Sequence, residues 1–600
     1  MADIIRVFDL LPHYKSTYKQ KTMVVGKVDG NWKALETEDC LRIVDNLSRG
    51  LIDLGIKKGD KIAIMSGNRP EWNFLDFAVS QIGAATVPLY PTLSDHDLNY
   101  ILEDADIKIA FVGTADLYEK IKNVLQQKHP DAPVYSFSKV SKVKHWEEIE
   151  KNGASLSIDL ENYRHAVTAD DLLTLIYTSG TTGNPKGVFL SHRNLITNFT
   201  DCAHLLPDNY KTAISFLPLS HIFERMVIYL YFYKGVTIYY AENMDMIVDD
   251  INAVKPNGFT TVPRVLEKIY DKIVEKGKSL SGLKKGIFFW ALQVGLRFKE
   301  PERQTLFYRL KLLLARILVF KQWQAALGGN IVGIISGGAA LQERLSRVFW
   351  AAGIPVLEGY GLTETSPVIA VNSFEPRGLR FGSVGKVLKS VKVKIAADGE
   401  VLCKGPSVTK GYYKNEKATA EAFDNDGYLK TGDIGELSAD GFLRITDRKK
   451  EMFKTAGGKY VAPQPIENKL MESTLIAQVM VIGEGKRFPA ALIVPSFEEL
   501  KKWAKRKGMP QVAPNDLVKK QEVQHKYQQI LDQANTNFGH WEQIKKFALL
   551  TDEWSIDGGE LTPKLSLKRK VILEKNKNRI EEIYGKEEDS AEDNQQETKK

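Results

Sequence analysis

Between Tyr177 and Gly187 the chain reads Y-T-S-G-T-T-G-N-P-K-G. Its glycines let the backbone approach an anion closely, because no Cβ stands in the way. Hydroxyls on Thr178, Ser179, Thr181 and Thr182 add hydrogen-bond donors around Gly180 and Gly183, and Lys186 adds a compact positive charge. Such a set suits a polyphosphate. It is not the common nucleotide loop G-x-x-x-x-G-K-[ST], because Pro185 stands five residues after Gly180, where that pattern needs glycine. A loop rich in Ser, Thr and Gly is by itself more often a linker than a site. The ordered P-K-G ending sets this one apart.

The apolar run Leu172–Ile176 predicts a strand that delivers the chain into this loop. Upstream, Lys61–Ser66 reads as a buried strand, Arg69–Gly83 as a helix, Thr86–Tyr90 as a strand, Asp95–Ala105 as a helix and Ile107–Val112 as a strand. Strands alternating with helices predict βαβ units and a largely parallel sheet. Further strands are expected near Tyr231–Tyr240, Ile331–Ser336 and Ile354–Leu357. After about Arg377 the pattern changes to short strands and turns: Val391–Ala396, the turn Ala397–Gly399, Glu400–Lys404 and Gly441–Ile445. The fold class expected is therefore α/β. A large N-terminal domain, residues 1–446, would carry βαβ-type sheets and a small β-rich subdomain at 377–446. The charged stretch Asp447–Glu451 would lead into a smaller, mobile α+β C-terminal domain, 447–585. The polar tail 586–600 is expected to be disordered.

Composition narrows the possibilities. Of 600 residues, 43% are apolar and 26% charged, which excludes wholesale disorder. No run approaches the ~18–20 apolar residues of a membrane-spanning helix. Met1–Leu11 lacks the layout of a signal peptide. Cys40, Cys202 and Cys403 lie too far apart in sequence to suggest a disulfide framework or a metal site. The net charge is +8, but Arg264–Lys321 alone has 14 Lys/Arg against 5 Asp/Glu. A charge confined to one helical stretch argues against nucleic acid. The same stretch carries Ile287, Phe288, Phe289, Trp290, Leu312, Leu313 and Leu314. Two readings follow: an insertion whose apolar face is core and whose lysines are merely solvated, or a surface for anionic membrane. The expected location is cytoplasmic, with a peripheral place at the inner face of the membrane.

At the level of motifs the chain resembles the adenylate-forming, or AMP-binding, ligases, and the likeness extends over nearly its whole length. Ser336–Leu341 (SGGAAL) looks like the segment bordering adenine, which would assign Gly337, Gly338 and Ala339 to the nucleotide. Glu358, Gly359 and Tyr360–Glu364 (YGLTE) resemble the segment that packs on adenine. That likeness would place Tyr360 and Gly361 on the base, Thr363 near the α-phosphate and Glu364 on magnesium. Tyr428–Asp433 (YLKTGD) resembles the block whose aspartate, Asp433, binds ribose. Asp447–Lys454 resembles the block in which Arg448 meets the nucleotide and Lys450 is the hinge. The implied reaction is ATP-dependent: a carboxylate attacks the α-phosphorus and pyrophosphate leaves. Catalysis there is positioning and charge neutralisation. The carboxylate of Asp433 suits vicinal hydroxyls, since its oxygens accept from both.

Leu217–Arg225 (LPLSHIFER) falls where the family builds the acyl pocket, making His221, Ile222 and Phe223 pocket candidates. His221 in an apolar run is also open to a core role. Amino-acid-activating relatives place an aspartate in this region and none stands here, which argues against an amino-acid substrate. The insertion Arg264–Asn330 resembles that of long-chain fatty acid–CoA ligases, which implies a long-chain fatty acid as substrate. Thr455–Pro463 looks like the pantetheine channel, with Gly457, Gly458 and Lys459 beside coenzyme A. Near the C-terminus the family shows T-P-x-x-K-x-K-R. Here Ser566 takes the lysine position, and Lys564 and Lys568 lie two residues to either side. In an extended segment a two-residue step keeps the face but moves the ammonium ~6–7 Å. Either lysine is a catalytic candidate beside Lys186, Thr363 and Glu364. Two rival readings stand: transfer of the acyl group to a carrier protein's phosphopantetheine, and a non-catalytic lipid-binding protein on a ligase scaffold.

Overall fold

The computed structural model describes residues 4–129, 131–178, 184–242, 246–509, 512–555, 558–562 and 567–585. The chain divides into two compact units. The larger comprises Met1–Lys394, Leu402–Thr431 and Leu437–Arg444; the smaller comprises Ile395–Val401, Gly432–Glu436 and Ile445–Lys600. The tail 586–600 lies outside the described residues.

The larger unit is built on two sheets. In the first, of seven strands, Lys144–His145, Val134–Ser136, Ile107–Val112, Lys61–Met65, Ala85–Pro88 and Leu172–Thr178 run parallel in that spatial order. Lys186–Ser191 closes it antiparallel to Leu172–Thr178. Runs such as Lys61–Met65 (KIAIM) are apolar on both sides because helices cover both faces of a parallel sheet. Pro70 starts the helix Pro70–Gln81 at a position where its missing N–H costs nothing, and Glu71 meets the positive end of the helix dipole.

In the second sheet, of nine strands, Thr22–Val28, Thr237–Tyr240, Thr212–Ser215, Gly258–Thr261, Gly333–Ser336 and Val356–Gly361 run parallel. Antiparallel strands flank them on both sides. The strand expected at Tyr231–Tyr240 is only Thr237–Tyr240; Tyr231–Tyr233 end the helix Ile222–Tyr233. All but the last residue of that helix are buried. Its apolar run therefore lacks the polar positions at 3.6-residue spacing by which sequence separates a helix from a strand.

The helix Ile222–Tyr233 packs on Thr212–Ser215 and Thr237–Tyr240 of the second sheet, and its fully buried Arg225 reaches the first. Its guanidinium donates to Thr174 Oγ1 at 2.7 Å, to Thr86 Oγ1 at 2.8 Å and to both oxygens of Asp76 on the helix Pro70–Gln81. The Tyr229 hydroxyl accepts from Arg225 at 2.8 Å and donates to Asp76. The Trp72 ring covers the cation at 5.2 Å.

In the smaller unit Ile476–Ile482 pairs antiparallel with Ala490–Pro495, which pairs parallel with Lys546–Leu549. Alternation sends Val479, Val481, Ala491 and Ile493 into one core, and Met480, Ile482, Leu492 and Val494 into another. The stretch expected as a charged linker is ordered at its start. Asp447 and Arg448 end the strand Leu443–Arg448, and Asp447 is buried.

Removing one partner of the Arg225 network leaves a buried, uncompensated charge. Asp76→Ala should lower stability by ~3–5 kcal/mol, and Asp76→Leu with Arg225→Met should recover part of that loss. The midpoint of urea unfolding measures both.

Candidate functional site

Thr178 and Lys186 are paired where the antiparallel strands Leu172–Thr178 and Lys186–Ser191 end and begin. Ser179, Gly180, Thr181, Thr182 and Gly183 lie outside the described residues. The strand Lys186–Ser191 runs straight into the helix His192–Asp201. Ser191 caps that helix by accepting from Asn194 N–H at 3.2 Å, while the Asn194 side chain accepts from Ser191 N–H at 2.9 Å.

Two buried asparagines on this helix hold the segments that carry other candidates. Asn198 donates to the carbonyls of Thr365 at 3.3 Å and Val368 at 2.8 Å and accepts from Val368 N–H at 3.1 Å. Asn194 donates to the carbonyls of Pro406 at 2.8 Å and Val408 at 3.0 Å. Asn198 thereby fixes the short 3₁₀ turn Thr363–Thr365, in which Thr363 is buried and Glu364 half-buried. Asn194 fixes the approach to Thr409, whose N–H donates to the Glu364 carbonyl at 2.7 Å.

Lys186 and Glu364 are then joined by a residue that sequence reading passed over. The Tyr412 hydroxyl donates to Glu364 Oε1 at 2.9 Å, and the Lys186 ammonium stands 5.0 Å from the Tyr412 ring centroid. Burial, and the Glu364 carboxylate beside it, push the Tyr412 hydroxyl well above its ordinary range, so it remains a donor at neutral pH. The only available signal was the stretch K-G-Y-Y-K-N at 410–415, which matches no phosphate pattern. Its backbone pairs with the Lys186 strand through Phe189 N–H to Gly411 and Tyr413 N–H to Gly187, and this pairing sets Tyr412 against Lys186.

Thr261 and Ser336 end adjacent parallel strands and lie side by side with Glu358, where the parallel pairing of the next strand ends. Ligands in open α/β sheets bind in the crevice outside such ends. The buried Glu358 carboxylate accepts from Leu341 N–H at 3.1 Å, tying the SGGAAL loop to the E-G-Y-G-L-T-E strand. Burial raises its carboxyl to about 7. Gly338 has φ +81°, a conformation that favours glycine, and a side chain at Gly337 would crowd the Phe223 ring at 3.2 Å. Ala339 continues this loop, while Gly359, Tyr360 and Gly361 belong to the strand Val356–Gly361.

His221 is half-buried and caps the helix Ile222–Tyr233. Its Nδ1 accepts from Phe223 N–H at 3.0 Å, which puts the ring proton on Nε2. Ile222 and Phe223 are buried. Beside them Glu224, also passed over, accepts from Ser215 Oγ at 2.6 Å and from Thr260, and burial raises it to about 7.

In the smaller unit, the buried Asp433 has its Oδ1 3.3 Å from Nε of Arg448, whose side chain is otherwise largely exposed. Next to them Glu400 accepts from Gly432 N–H at 3.0 Å and from the Lys449 ammonium at 2.6 Å, and Lys449 also reaches Asp398 at 2.6 Å. Lys449 N–H closes the clip on the Gly432 carbonyl at 2.9 Å. Lys450 follows, exposed in a turn. Gly457, Gly458 and Lys459 form the exposed turn between Phe453–Lys454 and Tyr460–Val461, with Gly458 at φ +74°.

Lys564 and Ser566 lie outside the described residues. Lys568 is exposed, and its backbone N–H donates to the Glu560 carbonyl at 2.7 Å just before the helix Arg569–Lys575. The neighbouring Arg569 anchors this end. It donates to both oxygens of Glu467 at 2.7 Å and to Glu451 at 3.2 Å.

Residues 13–413 match the AMP-binding enzyme family, and residues 451–588 match the AMP-binding enzyme C-terminal domain. The long-chain-fatty-acid–CoA ligase FadD15 of Mycobacterium bovis is 36% identical over 568 residues, 93% of this chain and 94% of that protein. The human long-chain-fatty-acid–CoA ligase 1 is 31% identical, across 93% of this chain and 83% of that protein. Among solved structures, the adenylation domain of a carboxylate reductase from Mycobacterium chelonae superposes with a TM-score of 0.76. It covers 96% of this chain and 91% of that one at 20% identity, a likeness of fold.

If Tyr412 holds Glu364 in place, Tyr412→Phe should slow acid-dependent pyrophosphate exchange about 10-fold, the loss of one hydrogen bond to a charged group. Lys186→Ala and Glu364→Gln should slow it ~10²-fold or more. Isotope exchange between pyrophosphate and ATP measures all three.

Proposed function

The chain belongs to the AMP-binding enzyme family, and from that membership we propose that it is an ATP-dependent long-chain fatty acid–CoA ligase. The observation that carries the reading is the likeness to long-chain-fatty-acid–CoA ligases, which extends through both units. In the first half-reaction the acid's carboxylate oxygen bonds to the α-phosphorus of ATP and the bond to pyrophosphate breaks. In the second, the thiol of coenzyme A bonds to the acyl carbon and AMP leaves with the electron pair of the broken bond.

The residues take the following parts. Thr178, Ser179, Gly180, Thr181, Thr182, Gly183 and Lys186 hold the phosphates. Thr363 lies by the α-phosphate. Glu358 braces the loop Gly337–Ala339, and Gly359, Tyr360 and Gly361 line the base. Asp433 accepts from the ribose hydroxyls, with Arg448 beside it. His221, Ile222 and Phe223 wall the acyl pocket. Lys450 is the pivot between the half-reactions, and Gly457, Gly458 and Lys459 line the way for pantetheine.

The Glu364 side chain suits magnesium. It is a hard, half-buried oxygen donor whose Oε1 is steadied by Tyr412 and whose Oε2 is engaged by none of the described residues. When bound there, the ion would offset phosphate charge as pyrophosphate departs. Peripheral contact with an anionic membrane belongs to the same reading, supported by the basic excess of Arg264–Lys321.

Fatty-acid-dependent release of AMP and pyrophosphate by the purified protein tests the reading, with coenzyme A and carrier protein compared as acceptors. Specificity should rise with chain length, since each buried methylene is worth ~0.8 kcal/mol at most. A preference for acetate, an aromatic acid or an amino acid would overturn the substrate.

One of Lys564→Ala and Lys568→Ala should abolish adenylation yet still convert pre-formed acyl-adenylate and coenzyme A to thioester, because only adenylation crowds carboxylate and phosphate charge together. The other should matter much less. Normal adenylation by both would remove this segment from the reaction.

A further inference from the structure

The helix Leu306–Ala315 widens into a π-turn over Arg316–Phe320 and continues as Lys321–Ala326. One side of it is locked to the larger unit. Leu312, Ala315, Val319 and Phe320 are buried. The Tyr308 hydroxyl donates to the Val294 carbonyl at 2.8 Å, and Arg316 points inward to the Ala351 carbonyl at 2.8 Å. The opposite side is apolar and bare. Leu306 is 77% exposed, Phe307 68%, Leu310 56%, Leu314 52%, Ile317 61% and Leu318 50%. Leu306, Leu310, Leu314, Ile317 and Leu318 recur at three- and four-residue spacing, so they form one stripe along the helix. Scattered exposed leucines are ordinary, but a continuous stripe of large side chains marks a contact surface.

The charge around this stripe is predominantly positive. Gly282–Asn330 contains nine Lys/Arg against two carboxylates, Glu300 and Glu302. Arg309 and Lys311 flank Leu310, and the Lys311 ammonium lies 4.3 Å from the Phe307 ring centroid. Lys284 and Lys285 are exposed beside Leu283, itself 80% exposed, at the start of the preceding helix. Where that helix ends, a cavity of about 620 Å³ is lined by Arg297, Lys299, Arg303, Arg347 and Arg380, with Glu300 its one carboxylate. Arg347 and Arg380 are paired to Glu343 and Asp440, whereas Arg297, Lys299 and Arg303 are exposed.

We infer that the helix Leu306–Phe320 lies in the plane of an anionic bilayer, its outer stripe among the acyl chains and its lysines and arginines at the lipid phosphates. A stripe of flexible aliphatic side chains suits a fluid bilayer, which demands no shape-matched partner. Basic residues interleaved with it select a negative surface, and long stems let them reach the headgroups while the stripe is immersed. This goes beyond charge-driven contact, because the apolar stripe takes part in holding the protein. It rests on the ligase reading only for its purpose, delivery of a lipid acid.

The test uses the full chain and sedimentation with vesicles of phosphatidylcholine alone or mixed equally with phosphatidylglycerol. Leu310→Ser with Ile317→Ser should weaken binding to the mixed vesicles ~10-fold or more and leave the remainder more sensitive to salt. Lys284→Gln, Lys285→Gln and Lys311→Gln combined should weaken it ~10-fold or more at low salt. Cys40, Cys202 and Cys403 are all buried, so a polarity-sensitive dye on Leu314→Cys labels one site. Its emission should shift to the blue on the mixed vesicles.

Both sets of variants should keep wild-type AMP release on detergent-dispersed acid. Serine variants that bind like wild type, or a dye that does not shift while the protein binds, would overturn the inference. So would a wild type that ignores vesicles but dimerises through this stripe. A wild type that binds as expected yet forms no acyl-adenylate would instead overturn the ligase reading and leave this one standing.

Discussion

The guanidinium of Arg225 is the point on which the larger unit turns. A fully buried cation is tolerated only when every donor finds an acceptor. Here the acceptors come from a helix beside the first sheet, from two of its strands and from Tyr229 one turn along Arg225's own helix. Those groups can converge only if the sheets hold one registration. The same helix begins at His221, Ile222 and Phe223, so the constraint that aligns the sheets also sets where the acyl-pocket candidates stand.

A second set of buried polar contacts does for the phosphate candidates what Arg225 does for the sheets. Asn194 and Asn198 sit on the helix that follows the Lys186 strand without a break, and they bind carbonyls more than 160 residues away in sequence. Lys186 and Glu364 thus share a frame before Tyr412 bridges them. Backbone carbonyls held by side-chain amides in a dry interior resist displacement, which suits a site whose work is to place charge.

The parts of this arrangement that were legible in sequence are those written locally. The alternation of strands and helices between Lys61 and Val112, the turn-rich change after Arg377 and the ordered motifs all rest on neighbours in the chain. Tyr412, Asn198 and Glu400 were not legible, because each acts on a partner brought near only by folding, and a lone Tyr, Asn or Glu carries no spacing to read. The helix Ile222–Tyr233, whose last residues fall where a strand was expected, was not legible for the opposite reason: burial of nearly every residue erased the periodicity that would have marked it. Asp447, expected at the start of a charged stretch between domains, is buried, and burial raises its carboxyl to about 7.

The clip of Glu400, Lys449 and Gly432 has a mechanical consequence. Two covalently distant stretches, 398–400 and 448–449, are fastened around the residue preceding Asp433 by three hydrogen bonds and an ion pair. Lys450 follows the clip, exposed in a turn in which Glu451 and Met452 N–H donate to the Arg448 carbonyl at 2.9 and 3.0 Å. On the C-terminal side Arg569 fastens Glu451 to Glu467 in the same way. A rotation at Lys450, the pivot we propose, would leave both clamps in place and would break the turn hydrogen bonds to the Arg448 carbonyl, like an axle turning between two bearings.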